Sequence, residues 1–123
     1  MQRPEKSVFD PPRRAPRFVP KKSLTAAVLG EGAPVSFGVV ADISAGGVCV
    51  QSVEFSMSRS FELMLSFDGG DMLEATVQVV WAKPISGAVG HAAYGLEFTE
   101  ISDDNKNRLV AALESSSFVP SDA

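Results

Sequence analysis

Three arginines stand close together near the start of the sequence, in the stretch PPRRAPRF from Pro11 to Phe18. A guanidinium group is planar and permanently charged, and it can donate two parallel hydrogen bonds or stack on an aromatic face. Arg13 and Arg17 are four residues apart, and Pro16 opposes the helix that would make them neighbours. In an extended chain they point to the same side, about 13 Å apart. The pair could therefore bind an anion that also carries flat, hydrogen-bonding rings.

A second stretch with binding potential is DISAGGV, in which Asp42, Ser44 and Gly47 follow the spacing D-x-S-x-x-G. The carboxylate could accept hydrogen bonds from the N–H groups of a base such as guanine, or hold an incoming arginine. The serine could present its hydroxyl and its backbone N–H at a turn. Gly46 and Gly47 permit a positive φ and the close approach of another backbone or of a ligand. A plain hairpin turn would use the same residue types, so this motif alone leaves both interpretations open.

The arginines lie on a segment whose prolines exclude a helix. Residues 1–22 contain five prolines and carry seven basic against two acidic residues, a net charge of +5, whereas residues 23–123 carry −9. We therefore predict an extended basic arm over residues 1–22. A solvated tail without a specific partner is the simpler interpretation of such an arm taken alone. The acidic body argues against sequence-independent binding of DNA or RNA, because it would repel a polyanion, and allows one small anion held by the arm.

Residues 23–101 show the period of two that is typical of β-strands. Six apolar runs are separated by short turns, and they predict an antiparallel sheet that is closed into a small barrel or packed as a sandwich. Alternating positions are expected to face the core, and the clearest series are Phe61, Leu63, Leu65 and Phe67; Leu73, Ala75, Val77, Val79 and Trp81; and Tyr94, Leu96 and Phe98.

The C-terminal part of the sequence predicts one helix followed by a tail. Ser102 is a suitable N-cap, and Asp103 and Asp104 would lie in the first turn, where the helix dipole favours carboxylates. We place this helix at residues 102–116 and expect a disordered tail at 117–123. The predicted fold class is mostly β, with one C-terminal helix.

Several function classes lack support in the sequence. Cys49 is the only cysteine and His91 the only histidine, so no metal-ligand cluster is indicated. The sequence has no G-x-S-x-G, H-E-x-x-H or Walker-type motif and no apolar run of the roughly 18 residues that a membrane helix needs. Because the stretch MQRPEKSVFDPP has no apolar core, we expect no signal peptide. We expect a cytoplasmic, non-enzymatic protein without a cofactor and without membrane insertion.

Taken together, the two motifs resemble those of one family. An R-x-x-x-R arm (Arg13, Arg17), a strand, and then D-x-S-x-x-G (Asp42, Ser44, Gly47) resemble a PilZ domain. The stretches VVWAKP and YGLEF and the closing helix fit the same family, so the resemblance covers roughly residues 12–115. It implies a six-stranded antiparallel β-barrel of the PilZ type with the extended arm in front of it.

The resemblance also implies a ligand, the bacterial second messenger cyclic di-GMP. Carried over to this sequence, Arg13 and Arg17 would be the main ligands, and Arg14 a candidate for an extra phosphate contact. Asp42 and Ser44 would contact a guanine or a phosphate. Gly46 would give the turn its freedom, and Gly47 would leave room for the ligand. Binding would order the arm, and the reshaped surface would be read by a protein effector whose identity the sequence does not give, the receptor itself being a monomer or a weak dimer.

Two alternatives belong to other functional classes. A PilZ-like adaptor would act through protein contacts without nucleotide, although such proteins typically lose the arginines or the D-x-S-x-x-G residues that are present here. A small-barrel nucleic-acid binder would carry aromatic residues on a basic sheet face, which this sequence lacks. The pathway is open among motility, pilus assembly, exopolysaccharide synthesis and virulence.

Overall fold

The structure is a computed structural model that describes residues 16–30, 33–53, 60–67, 72–87 and 89–120. Most of these residues are in strands, and one helix lies near the C-terminus. In chain order the elements are β1 (Phe18–Pro20), β2 (Thr25–Gly30), β3 (Ala33–Ile43), β4 (Gly47–Val53), β5 (Ser60–Ser66), β6 (Met72–Pro84), β7 (His91–Glu100), α1 (Asp103–Leu113) and β8 (Phe118–Pro120).

Six of the strands close into an antiparallel barrel, which confirms the predicted fold class. The strand order is β2–β5–β6–β7–β4–β3, and a further pairing between β2 and β3 closes the ring. Closure gives each of the six strands a neighbour on both sides, so the barrel itself has no unpaired edge. The short strands β1 and β8 extend the sheet outward from β3. The segment that carries Arg17 is thereby attached to the same strand that carries Asp42.

The barrel is filled by the side chains that the alternating pattern placed inside. Leu63, Leu65, Leu73 and Val77 are each at most 1% exposed, and Leu96 is 4% exposed. The outer faces of the same strands carry polar or partly exposed residues, as expected for a sheet with one face in contact with solvent. Burial of these branched side chains is the main stabilising contribution to the fold.

The register between neighbouring strands shifts at four places, and two of these, each with one extra residue, lie next to the DISAGG turn or to Trp81. Between β3 and β4 the register passes from the pair Val40–Val50 to the pair Asp42–Cys49, so Ala41 is unpaired. Such a β-bulge shifts the following side chains to the opposite face. Val40 is buried, and without the bulge the Asp42 carboxylate would also point into the barrel. The bulge turns it outward.

The second bulge corrects the prediction for Trp81. Between β6 and β7 the register passes from the pair Val79–Leu96 to the pair Trp81–Gly95, which leaves Val80 unpaired. The prediction that Trp81 packs in the core is wrong, because the bulge turns its side chain to the outer face, where it is 44% exposed. Tyr94, predicted on the same basis, is in the core at 7% exposure.

The helix α1 begins as predicted and ends earlier. The Ser102 side chain accepts a hydrogen bond from the Asn105 backbone N–H at 3.1 Å, with Asp103 and Asp104 in the first turn. The last helical residue is Leu113 rather than residue 116. Leu109 and Leu113 are buried and fix the helix to the end of the barrel. In the part of the chain that the structure describes, no helix has the length and apolar character needed to span a membrane.

The expectation of a disordered tail is wrong for residues Phe118–Pro120, which form β8. This strand pairs with β1 through the partners Phe18–Pro120, Val19–Val119 and Pro20–Phe118. Phe118 is 8% exposed, and its ring meets that of Phe67 edge to face with centroids 6.3 Å apart. One buried aromatic ring therefore organises a segment that looks polar in sequence. Through β1, it also helps to fix the base of the arm.

We predict that Phe118→Ala lowers the free energy of unfolding by about 3 kcal/mol, the low end of the range for burying a phenylalanine. The matched control is Val119→Ala, the next residue on the same strand, which is 45% exposed and should cost less than about 1 kcal/mol. Urea unfolding followed by tryptophan fluorescence measures both. Equal, small effects would mean that the tail does not pack on the barrel in solution.

Candidate ligand-binding site

The DISAGG turn is stabilised internally by Ser44. The Ser44 side chain accepts hydrogen bonds from the backbone N–H groups of Gly46 (3.1 Å) and Gly47 (3.2 Å). Its own backbone N–H donates to the Gly47 carbonyl at 2.8 Å. The residue is only 2% exposed. In this structure the Ser44 hydroxyl is therefore directed into the turn.

The two glycines of the turn have different surroundings. A Cβ atom at Gly47 would collide with the carbonyl oxygen of Leu96, so glycine is required here for the close approach of β4 and β7. Gly46 is exposed, and the nearest atom to a Cβ there would be the Ser44 hydroxyl oxygen at 3.9 Å. The positive φ that we considered for them is not used: among the described glycines, only Gly87 and Gly90 have one.

The base of the arm lies against this turn and contacts it through an ion pair. Pairing of Phe18 with Ile43 places Arg17, the preceding residue, beside the end of β3. The Arg17 Nε donates to Asp42 Oδ1 at 2.6 Å, and Nη2 of the same guanidinium also contacts Oδ1. Of the two roles considered for the Asp42 carboxylate, the structure shows the one in which it holds an arginine.

Four residues form a row across the outer face of the barrel, next to this ion pair. They are register partners on successive strands: Asp42 with Cys49, Cys49 with Gly95, and Gly95 with Trp81. The indole of Trp81 lies directly over Gly95, where any larger side chain would collide with it. The Lys83 ammonium is 5.8 Å from the centre of the Trp81 ring, within the range of a cation–π interaction. We call Arg17, Asp42, Cys49, Gly95 and Trp81 the outer row.

Cys49 lies in the middle of the outer row and is 8% exposed. Burial raises the pKa of its thiol, and the Asp42 carboxylate raises it further, whereas Arg17 and Lys83 act in the opposite direction. The thiol is therefore neutral and poorly nucleophilic near neutral pH. Its contribution to the row is a small, uncharged surface between a carboxylate and an indole.

The predicted site residues divide into two groups. The structure brings together Arg17, Asp42, Ser44, Gly46 and Gly47 within one region. Arg13 and Arg14 lie outside the described residues, so their position relative to the turn stays a prediction. Trp81 and Cys49 were not predicted to belong to the site.

The sequence carried only an indirect signal for those two residues. Cys49 lies on a strand whose alternating pattern would place it on the outer face, and the same holds for its register partner Gly95. The exposure of Trp81, by contrast, depends on the extra residue Val80 in β6. No group of three or more metal-ligating side chains is found among the residues that the structure describes.

We predict that Gly47→Ala lowers the free energy of unfolding by about 1–3 kcal/mol, because the added methyl group forces β4 away from the Leu96 carbonyl. Gly46→Ala is the matched control and should change it by less than about 1 kcal/mol, since the space beside it is open. Chemical unfolding of the two variants measures the difference. A Gly47→Ala variant as stable as its neighbour would show that the two strands are further apart than described.

The chain is similar in sequence to one protein family and in fold to several solved structures. The sequence profile of the family described as PilZ domain matches residues 11–115. A comparison with curated proteins finds no match. The fold is similar to that of the Bacillus subtilis inhibitor of motility, MotI/DgrA, with a TM-score of 0.65 and 18% identity over 84% of this chain and 49% of that one. It is also similar to K. pneumonia MrkH in its apo state, with a TM-score of 0.67 and 15% identity over 88% and 51%.

A third similar structure is the PilZ domain of YcgR from Escherichia coli, solved with c-di-GMP. The TM-score is 0.59 and the identity 13%, over 83% of this chain and 88% of that one. The chain thus spans about half the length of the MotI/DgrA and MrkH structures and most of the YcgR domain. At such identities the structural similarity shows a common fold. The profile match over most of the sequence, on a closed six-stranded barrel, shows more: the chain belongs to the PilZ domain family.

Proposed function

We propose that this PilZ domain is a receptor for cyclic di-GMP. The observation that carries the proposal is the contact between Arg17 and Asp42, which joins the second arginine of R-x-x-x-R to the first residue of D-x-S-x-x-G. These residues are 25 positions apart in the sequence, and both have exposed surface. Family membership and the similar fold of a YcgR domain solved with c-di-GMP support the same ligand.

Arg17 is suited to a ligand with both phosphates and guanines. A guanidinium group has five N–H donors, and its contact with Asp42 uses two of its nitrogen atoms on one carboxylate oxygen. The Arg17 side chain remains 47% exposed. Asp42 orients the fork, and the remaining donors can bind a phosphate or the O6 and N7 edge of a guanine. Arg13 is the proposed second ligand of this kind, and Arg14 a further phosphate contact.

The turn contributes its shape to the proposed site. Gly46 offers an exposed, uncrowded backbone that a base or phosphate can approach closely. Ser44 and Gly47 set the conformation of the turn through the hydrogen bonds described above. Trp81 offers an exposed aromatic face at the other end of the outer row, about 14 Å from Asp42 at three strand spacings. A guanine that extends across β4 and β7 could stack on it.

The proposed mechanism is ordering of the arm by the ligand. The acidic body does not attract a dianionic ligand, so the affinity has to come from the basic arm. Fixing the arm costs conformational entropy, which the arginine contacts must exceed. The ordered arm then presents a new surface to a protein effector. We propose a cytoplasmic location, a non-enzymatic role and a monomeric or weakly dimeric state for the receptor.

An adaptor function without nucleotide is the second candidate. The observation that favours it is the exposure of three large apolar side chains on β3, namely Val35 at 65%, Phe37 at 60% and Val39 at 49%. Exposed apolar groups on one strand are typical of a surface that contacts another protein. A receptor also needs such a surface, so ligand binding is what separates the two candidates.

We predict that cyclic di-GMP binds the wild-type chain saturably in isothermal titration calorimetry and that Arg17→Lys weakens binding at least tenfold. Lysine keeps the charge but loses the fork and the stacking plane. Lys106→Arg is the control, an exchange of the same two residue types at an exposed position of α1 outside the proposed site, and it should leave the affinity unchanged. Absence of binding by the wild type would favour the adaptor, whereas near-normal binding by Arg17→Lys would reduce the arm to a positive tether.

We also predict that saturating cyclic di-GMP slows amide hydrogen exchange in residues 8–22. Ordering of the arm protects its amides, chiefly those before strand β1, which is already paired, while those of β5 and β6, also paired in the barrel, should change little. Exchange measured by mass spectrometry on peptides from the two regions provides the comparison. If the ligand binds but exchange in the arm is unaltered, the signal does not pass through arm ordering.

A further inference from the structure

A cavity of about 360 Å³ lies between the base of the arm, the helix α1 and strand β8, away from the outer row. Its floor is apolar and formed mainly by side chains with little exposure, namely Leu24, Leu73, Phe67, Ala112 and Phe118. Its size falls in the range of about 300–1,000 Å³ that is common for pockets of small organic ligands. The floor can accept an apolar group of several carbons.

The rim of the cavity is basic. Among the described residues that line it, the charged ones are Lys21, Lys22 and Arg108, and all three are exposed. The Arg108 guanidinium is held in place by donating to the carbonyl of Met72 and to the side-chain oxygen of Asn105, both at 3.1 Å. The charged residues among these described lining residues are thus all basic, although the chain has a net charge of −4. Their field favours an anionic group above the apolar floor.

Besides the apolar floor and the basic rim, the cavity is lined by three serines that follow shortly after the end of α1, Ser115, Ser116 and Ser117. A helix C-terminus normally disfavours an anion, because its last carbonyl groups are unpaired. Here the Ser115 hydroxyl donates to the Ala112 carbonyl at 2.6 Å, and the Ser115 backbone N–H also donates to it at 3.1 Å. These bonds satisfy one of those carbonyls and reduce the conflict with a negative ligand.

We propose that this cavity binds a small amphipathic anion, with an apolar body on the Leu24–Leu73–Phe118 floor and a carboxylate or phosphate at the Lys21, Lys22 and Arg108 rim. The combination of buried apolar and exposed basic lining residues fits an acyl or aryl acid better than a purely polar anion or an uncharged hydrocarbon. This binding site is separate from the nucleotide site proposed above and does not require it.

The position of the cavity suggests what the ligand would do. The Lys21 backbone N–H donates to the Ser117 carbonyl at 2.9 Å, and Pro20 pairs with Phe118, so the cavity wall joins the base of the arm to the C-terminal strand. A bound ligand stabilises this junction, and with it the placement of Arg17 three residues before Pro20. A change in cyclic di-GMP affinity is therefore an expected consequence, and this consequence alone rests on the proposed function.

The test is an NMR titration of the ¹⁵N-labelled chain with octanoate, with octylammonium as a probe of the same apolar length and opposite charge. Octanoate should shift the amides of Lys21 and residues 115–118 in a saturable manner, and octylammonium should bind at least tenfold more weakly. Lys21→Glu should weaken octanoate binding at least tenfold, whereas Lys106→Glu, the same charge change on α1 outside this cavity, should not. Ala112→Trp, which fills the floor, should abolish binding.

Several outcomes would overturn the proposal: no saturable shift with octanoate, equal binding of octylammonium, or equal effects of Lys21→Glu and Lys106→Glu. Vesicles of phosphatidylcholine with phosphatidylglycerol separate a free amphiphile from a membrane lipid. Sedimentation of the chain with these vesicles, without any response to octanoate, would also contradict a small-ligand cavity. No arm of the titration contains cyclic di-GMP, so its failure is distinguishable from failure of the nucleotide site.

Discussion

Side chains on a β-strand alternate strictly between its two faces, and this constraint determines which residues of the barrel can reach a ligand. A strand that buries Val40 and Ile43 cannot also present Asp42 to solvent unless the alternation is interrupted between them. The extra residue at Ala41 provides that interruption, and Val80 does the same for Trp81 on the far side of the row. The two bulges let one barrel keep a continuous apolar core and still expose a carboxylate and an indole in a single outer row.

The arm is held to this row by interactions of moderate strength. An ion pair between exposed side chains contributes about 0–1 kcal/mol, since water and salt screen it. The Arg17–Asp42 pair, with 47% and 31% of the side chains exposed, belongs in this class. It orients the guanidinium without fixing the arm irreversibly, which suits a contact that a ligand has to remodel. The base of the arm is attached to the barrel more firmly, by the burial of Phe118 and by the backbone pairing of β1 with β8.

The sequence was sufficient to predict six antiparallel strands, because apolar and other residues alternate along them and short turns separate them. The alternation alone allowed a barrel or a sandwich, and the resemblance to the PilZ family favoured the barrel. Residues such as Leu63, Leu65, Leu73 and Leu96 follow the period without exception and lie in the core. Ser44 and Gly47 were recognisable as turn residues, although their role in fixing the turn became visible only through the Ser44 hydrogen bonds and the approach of Leu96.

Features that depend on long-range pairing could not be predicted in the same way. A bulge is one extra residue, and here it is Val80, an apolar residue like its neighbours. The local sequence therefore does not show that the Trp81 side chain turns to the outer face. The strand β8 forms because Phe118 packs against Phe67, a residue 51 positions earlier. The SSSFVP stretch contains no local pattern that predicts this contact. The cavity lined by residues next to β1, α1 and β8 depends on the same β1–β8 pairing, so it could not be predicted from the sequence either.

The central claim is that the nucleotide binds on the outer row, where the arm meets the DISAGG turn. The most direct measurement is NMR mapping with ¹⁵N-labelled chain, following the Arg17 side-chain Nε–H signal and the backbone amides during titration with cyclic di-GMP. The account predicts that the Arg17 Nε–H, the amides of Gly46 and Gly47 and the Trp81 indole N–H shift together and saturate at the same ligand concentration, while the amides of residues 115–117 shift less. Saturable shifts confined to another face of the barrel, with the Arg17 signal unchanged, would contradict it.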